Sequence, residues 1–103
     1  MADKSKPTYL LSTVKELKIT LTNKARNTAH SIGFTDTDVK AVILCLTFKD
    51  FDKSTTENYH HQVWQDVYKI TINDKKLYIK FKTHNNEVLI TSFKEDRDIL
   101  EQG

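Results

Sequence analysis

Apolar residues change their spacing halfway along the chain. From Leu11 to Leu46 they recur at helical intervals, and from Phe51 to Phe93 they alternate. In the first half, Thr13 with Glu16 three residues later fits a capping box. It opens a short helix with Val14, Leu17 and Ile19 on one face. Thr22 or Asn23 caps a second helix in which Ala25, Ala29 and Ile32 share a face, and Gly33 stands where a C-terminal cap belongs. Thr35 and Asp38 repeat the capping-box spacing before a third helix, whose apolar stripe is Val39, Ile43 and Leu46 with Val42 beside them. This helix is the most apolar of the three and is expected to be the most buried. Cys45 lies in its run and reads as a buried thiol acting as a small hydrophobe.

The second half has strand periodicity. Trp64, Tyr68, Ile70 and Ile72 share one parity, interrupted by Asp66, which assigns Trp64 to the core. Gln65, Lys69 and Thr71 share the other. After the turn residues Asn73-Asp74, Leu77, Ile79 and Phe81 alternate with Tyr78, Lys80 and Lys82. Asn85-Asn86 marks a second turn. From Glu87 to Lys94, Val88 and Ile90 occupy one parity and Leu89 and Phe93 the other, which reads as a central strand covered on both faces. Phe51 to Thr55 adds a short strand before a polar loop from Thr56 to Gln62, and Glu95 to Glu101 forms an acidic, solvated end. Helices followed by hairpin-linked strands make an α+β class. We expect one domain over residues 1–103, with a helical half at about 9–48 and a sheet half at about 51–95. The N-terminal helices pack on one face of a twisted antiparallel β-sheet, and the other face presents Gln65, Lys69, Tyr78, Lys80 and Lys82.

Composition narrows the class. With 103 residues, 38% hydrophobic and 29% charged, the chain suits one globular core and is too apolar for disorder. A single cysteine excludes an internal disulfide and a Cys-based zinc site, and it suits a reducing compartment. No apolar segment follows the polar start, and no run approaches the roughly 20 residues of a membrane span. A cytoplasmic protein without membrane contact is expected. The net charge of +2 is unevenly spread: residues 1–33 carry six Lys/Arg against two Asp/Glu, and residues 53–94 carry seven against four. The strand-rich half is therefore basic, which points toward a polyanion.

Familiar enzyme signatures are absent: there is no nucleophile elbow, phosphate-binding loop, dinucleotide fingerprint or zinc-protease motif. His60 and His61 are adjacent and read as a solvated loop pair rather than metal ligands. No Asp/Glu cluster stands out as a two-metal site, so neither a metal nor another cofactor is expected. A sheet face of Tyr and Lys can still cut RNA without metal. The 2′-hydroxyl is the nucleophile, positioning supplies much of the rate, and lysines stabilise the charge that builds on phosphorus. On pattern alone, Lys and Tyr on a solvent face are ordinary, and the inert, solvated face is the favoured reading.

The segments Phe51-Asp52-Lys53-Ser54, Trp64-Gln65-Asp66-Val67-Tyr68-Lys69, Leu77-Tyr78-Ile79-Lys80-Phe81 and Glu87-Val88-Leu89-Ile90-Thr91-Ser92-Phe93-Lys94-Glu95 occur in that order. Together they resemble the MqsR-type toxins of bacterial type II toxin–antitoxin pairs, most closely from about Asp50 to Asp96. Leu11-Ser12-Thr13-Val14-Lys15 resembles that family's opening helix. The resemblance implies a RelE-like fold and ribosome-independent, sequence-specific endonucleolytic cleavage of single-stranded mRNA at GCU-like triplets. It also implies neutralisation by a cognate MqsA-type antitoxin, with DNA contacted only through that partner. The family's functional positions fall on Lys53, Gln65, Tyr78 and Lys94. Chemistry then assigns Lys53 and Lys94 to phosphate binding and charge stabilisation. Gln65 orients the phosphate or the 2′-hydroxyl, and Tyr78 donates a proton or a hydrogen bond; the general base stays open. Tyr59, His61, Lys69, Lys80 and Lys82 are the expected further RNA contacts. Two features depart from the family: Asp52 replaces an aromatic residue, and the turn from Lys82 to Glu87 is about one residue longer.

Two other classes fit the same residues. A non-catalytic nucleic-acid-binding module needs the Lys and aromatic groups but not a defined Lys/Gln/Tyr/Lys set. A protein-interaction domain that only titrates an antitoxin needs neither.

Overall fold

Two short turns organise the sheet. Asn73 and Asp74 have φ of 52° and 66°, and Asn85 and Asn86 have 52° and 61°. Asn and Asp tolerate this left-handed region, and two such residues in succession make the hairpin turn whose twist matches that of its strands. The computed structural model describes residues 2–57 and 62–96. In it β1 (Asp3–Lys4), α1 (Leu11–Val14), β2 (Lys18–Leu21), α2 (Asn23–Ser31) and α3 (Asp36–Cys45) precede β3 (Phe51–Thr56), β4 (Trp64–Ile72), β5 (Lys75–His84) and β6 (Glu87–Glu95). The strand order is β1-β3-β4-β5-β6-β2, antiparallel except that β2 runs parallel to β6. The architecture is thus α+β, with a six-stranded, mostly antiparallel sheet.

The expected caps form. Thr22 Oγ1 accepts from the Ala25 N–H at 3.1 Å. Asp38 N–H donates to Thr35 Oγ1 at 3.1 Å, while Thr35 N–H donates to Asp38 Oδ2 at 2.9 Å. α2 ends at Gly33 with φ +91°: the Phe34 N–H reaches the Ala29 carbonyl and the Gly33 N–H reaches that of His30. These paired bonds form the glycine-closed helix end that the spacing predicted. Arg26 and His30 both reach the Asp36 carboxylate, at 3.0 and 2.9 Å, and tie α2 to the start of α3.

Three expectations in the helical half are corrected. Thr13 does not cap a helix; it lies inside α1, whose cap is Leu10 without a side-chain bond. Ile19 is not helical. Ile19 and Leu21 are the inward residues of β2, alternating with Lys18 and Thr20, and pair with Val88 and Ile90. Cys45 is exposed. The buried stripe of Val39, Val42, Ile43 and Leu46 faces the sheet, so Leu44 and Cys45 fall on the outer side.

The core is bounded on the sheet side by Tyr68, Leu77, Ile79, Phe81, Val88, Ile90 and Phe93, all fully buried. Phe81 stacks on Tyr68 with ring centroids 5.5 Å apart. Phe93 reaches this face because β6 is bulged. Lys80 pairs with Ser92 and Phe81 with Ile90, leaving Thr91 unpaired and shifting the parity by one. The mixed parity of β6 therefore reflects a bulge rather than apolar cover on both faces. Trp64 shares the face of Tyr68 but is only half-buried and stands outside the core cluster. There the N-terminal segment lies against it: Lys4 Nζ is 4.2 Å above the Trp64 ring, and Tyr9 donates to the Trp64 carbonyl at 2.6 Å. The N-terminal segment is held there by the fully buried Asp66, whose carboxylate accepts from the Thr8 and Tyr9 N–H groups at 3.0 and 2.9 Å. Among the described residues no helix is long and apolar enough to cross a membrane.

Candidate functional site

The sheet face opposite the helices is built in cross-strand rows. One row runs Lys69, Tyr78, Lys94 across β4, β5 and β6. The next runs Lys53, Val67, Lys80, Ser92 across β3 to β6. A third runs Asp3, Thr55, Gln65 across β1, β3 and β4. Side chains that pair directly across strands share a face, so Lys53, Gln65, Tyr78 and Lys94 stand together with Lys69 and Lys80. Lys82 joins them through its ion pair with Glu57. Tyr59 and His61, expected to contact RNA, lie outside the described residues, as does the neighbouring His60.

A second bulge places Lys53. Phe51 pairs with Tyr68 and Lys53 with Val67, so Asp52 is the extra residue. Phe51 turns inward, its ring 5.5 Å from that of Tyr68. Lys53 turns outward. Asp52 lies beside Lys69, carboxylate to ammonium 3.9 Å. The acidic residue at this position therefore offsets a neighbouring lysine.

Gln65 is the most constrained member. It lies on the open face, yet it is 7% exposed because neighbours cover it. Its Nε2 donates to Glu57 Oε2 at 3.3 Å, and its Oε1 accepts from Thr91 Oγ1. Both ends of the carboxamide are held, and one amide N–H has no partner among the described residues. Glu57 also accepts from Lys82 Nζ at 2.6 Å. The Tyr78 ring lies between two cations, Lys94 Nζ at 5.1 Å and Lys69 Nζ at 5.9 Å from its centroid. Burial raises the Tyr78 pKa above the usual phenol range, aided by Asp52 and Asp96 and opposed by Lys69. Its proton is therefore retained at neutral pH.

The lysines differ in their partners. Lys53 lies 3.8 Å from Asp3, Lys69 is 3.4 Å from Asp96, and Lys82 is closely paired with Glu57. Neither Lys80 nor Lys94 is ion-paired to a described residue. Burial, followed by the charges of Lys94 and Lys24, lowers the Lys80 pKa below the usual lysine range. A groove of about 530 Å³ opens beside Lys82, lined by Tyr9, Glu57, Trp64 and His84 among others. Among the described residues no three His, Cys, Asp or Glu side chains gather as a metal site would require.

The face thus offers cations for a phosphate, an oriented amide and a protonated phenol. The four positions came from the family resemblance; periodicity placed Gln65 and Tyr78 on the open face but not Lys53 or Lys94, which the two bulges turn there. Periodicity missed Asp3, Glu57 and Thr91, which hold Lys53 and Gln65. The signals for these were weak: Thr91 is the residue at which β6 changes parity, and Glu57 is the only acid in its polar loop.

Comparison with known proteins bears on this face. A family model described as "Motility quorum-sensing regulator, toxin of MqsA" matches residues 6–95. The chain is 36% identical over 97 residues to the mRNA interferase toxin MqsR of Escherichia coli (strain K12), a match spanning 90% of this chain and 98% of that protein.

Proposed function

The chain belongs to the MqsR family of toxins, and from that premise we propose that it is an endoribonuclease cutting single-stranded mRNA as the toxin of a type II toxin–antitoxin pair. The observation that carries this reading is the meeting of Lys53, Gln65, Tyr78 and Lys94 on one open sheet face.

The chemistry follows from the side chains. The RNA strand lies across β3 to β6. Lys53 and Lys94 hold the non-bridging oxygens of the scissile phosphate and stabilise the charge that builds there. Removing one donor of this kind from other enzymes costs about 10²–10³-fold in rate. Gln65, locked by Glu57 and Thr91, directs its remaining N–H at the phosphate or the 2′-hydroxyl. Tyr78 supplies the proton to the departing 5′-oxygen, and its retained proton suits that task. Attack by the 2′-hydroxyl leaves a 2′,3′-cyclic phosphate and a 5′-hydroxyl, and no step calls for a metal. Lys69, Lys80 and Lys82 line the strand's path, and Tyr59 and His61 complete the contacts to the bases.

The recognition sequence is a GCU-like triplet, and the fold is a RelE-like variant. A cognate MqsA-type antitoxin neutralises the chain, and DNA is reached only through that partner. The protein acts in the cytoplasm.

The test is cleavage of end-labelled RNA carrying scattered triplets, in EDTA, beside a Lys94→Ala control. Discrete cuts with cyclic phosphate ends, absent in the control, are expected. Intact RNA would overturn the catalytic reading and favour binding or antitoxin titration alone.

A further inference from the structure

Lys80 stands in the middle of the four side chains to which cleavage is assigned. Along β5 it is two residues from Tyr78, about 6.6 Å on the same face. In its own row Val67 separates it from Lys53, and Ser92 flanks it on β6. Both row neighbours are short, leaving the Lys80 amine open to a substrate lying between Lys53 and Lys94. On the side away from Tyr78, the Gln65–Thr91 hydrogen bond spans β5, and Thr91 Oγ1 also lies 3.3 Å from the Lys80 carbonyl.

The groups around Lys80 come from every neighbouring element. They are Lys53 on β3, Glu57 just after it, Gln65 on β4, Tyr78 and Lys82 on β5 itself, Ser92 and Lys94 on β6, and Lys24 in the first turn of α2. Among the described residues cations outnumber carboxylates here, and Glu57 is already engaged by Lys82 and Gln65. Lys80 itself is half-buried and has no ion-pair partner among the described residues.

We propose that Lys80 is the general base of the cleavage reaction, taking the proton of the attacking 2′-hydroxyl; this rests on the endoribonuclease reading above. The neutral amine accepts the proton as the O2′–H bond breaks. The O2′–P bond forms, the P–O5′ bond breaks, and O5′ takes the Tyr78 proton. Lys80 then releases its proton to water and Tyr78 regains one. The two-residue spacing sets base and acid on either side of a single phosphoryl group, as in-line displacement requires. The surrounding cations act twice. They favour the neutral amine by repulsion, and they absorb the charge of the phosphate, which would otherwise reprotonate it.

The experiment measures single-turnover cleavage against pH for the wild-type chain and Lys80→Arg. A third protein, Lys80→Cys alkylated to S-aminoethylcysteine, is made in a Cys45→Ala background, because Cys45 is exposed and would also react. Arginine keeps the charge but does not give up its proton. Lys80→Arg is expected to slow cleavage by about 10²–10⁴-fold while binding a 2′-deoxy-substituted RNA as well as wild type. S-aminoethylcysteine carries a more acidic amine. It is expected to restore cleavage with the acidic limb of the profile moved to lower pH. Cleavage by Lys80→Arg at the wild-type rate, or a limb that stays in place in the restored protein, overturns this inference alone. A wild-type chain that cuts no RNA at any pH overturns the endoribonuclease reading together with it.

Discussion

Thr91 Oγ1 hydrogen-bonds Gln65 Oε1 across the intervening strand β5, joining two strands that are not neighbours in the sheet. The bulge in β6 sets this contact directly beside Ser92 and Lys94. Without the extra residue, Thr91 would follow the strict alternation of the strand and could not share the open face with Ser92 and Lys94. One irregularity thus turns Phe93 into the core and brings Ser92 and Lys94 onto the open face beside the Thr91–Gln65 bond.

Replacing Thr91 with Val keeps the shape and removes that bond. A bond of this kind is worth about 0.5–1.5 kcal/mol, so the melting temperature should fall by several degrees and cleavage should slow by roughly two- to tenfold. Single-turnover kinetics beside a thermal melt check this. An unchanged rate would mean that Glu57 alone orients Gln65.

Lys94 is exposed and unpaired among the described residues, so Lys94→Ala should leave stability within about 0.5 kcal/mol of wild type. Its loss should nevertheless reduce cleavage about 10²–10³-fold and relieve growth arrest when the gene is induced in a bacterial host. Persistent arrest with this folded variant would remove Lys94 from the chemistry.

Asp3 holds Lys53 in an exposed pair at 3.8 Å, worth about 0–1 kcal/mol. Asp3→Asn should free Lys53 and tighten RNA binding roughly two- to fivefold at low salt, with the gain fading as salt screens the charges. Filter binding over a salt series reads this out; equal affinities at low salt would show that the pair does not restrain Lys53.

Asp66 is fully buried and its carboxylate accepts from two backbone N–H groups of the N-terminal segment. Asn offers one acceptor and turns an amide NH₂ toward the other N–H. Asp66→Asn should therefore cost about 2–4 kcal/mol in urea denaturation. A cost below about 1 kcal/mol would mean that the N-terminal segment is held mainly by β1.

Acid should loosen the helices through Asp36 and Asp38. The His30 hydrogen bond, with help from Arg26, lowers the Asp36 pKa below its ordinary 3.8. The Thr35 backbone N–H lowers that of Asp38. Both groups are depressed in the folded state. Their stabilisation is thus fully present above the ordinary value and is lost as the pH falls through the folded value. In Asp36→Asn and Asp38→Asn, the acid limb of a pH series of thermal melts should be shallower; limbs that coincide with wild type would contradict this.

Much of the site was legible because strand parity is local. Gln65, Lys69, Tyr78, Lys80 and Lys82 were assigned to the open face from alternation alone, and the register bears this out. Lys94 was not, because the bulge at Thr91 breaks the alternation before it. Trp64 carried the parity of a core residue, but it is half-buried, stands outside the core cluster and is met by Lys4 and Tyr9 of the N-terminal segment. Ile19 fitted a helical stripe as well as a strand, and only its pairing with Val88 decides between them.

By itself the sequence determined the two hairpin turns, the caps of α2 and α3, the buried stripe of α3 and the basic face of the central strands. Each of these depends on residues within a few positions of one another. The tertiary structure alone decided the bulges at Asp52 and Thr91, the parallel strand at the sheet edge, the exposure of Cys45 and the anchoring of Thr8 by Asp66, 58 residues away. These depend on which distant group satisfies a backbone hydrogen bond or covers a face, and no local pattern encodes that choice.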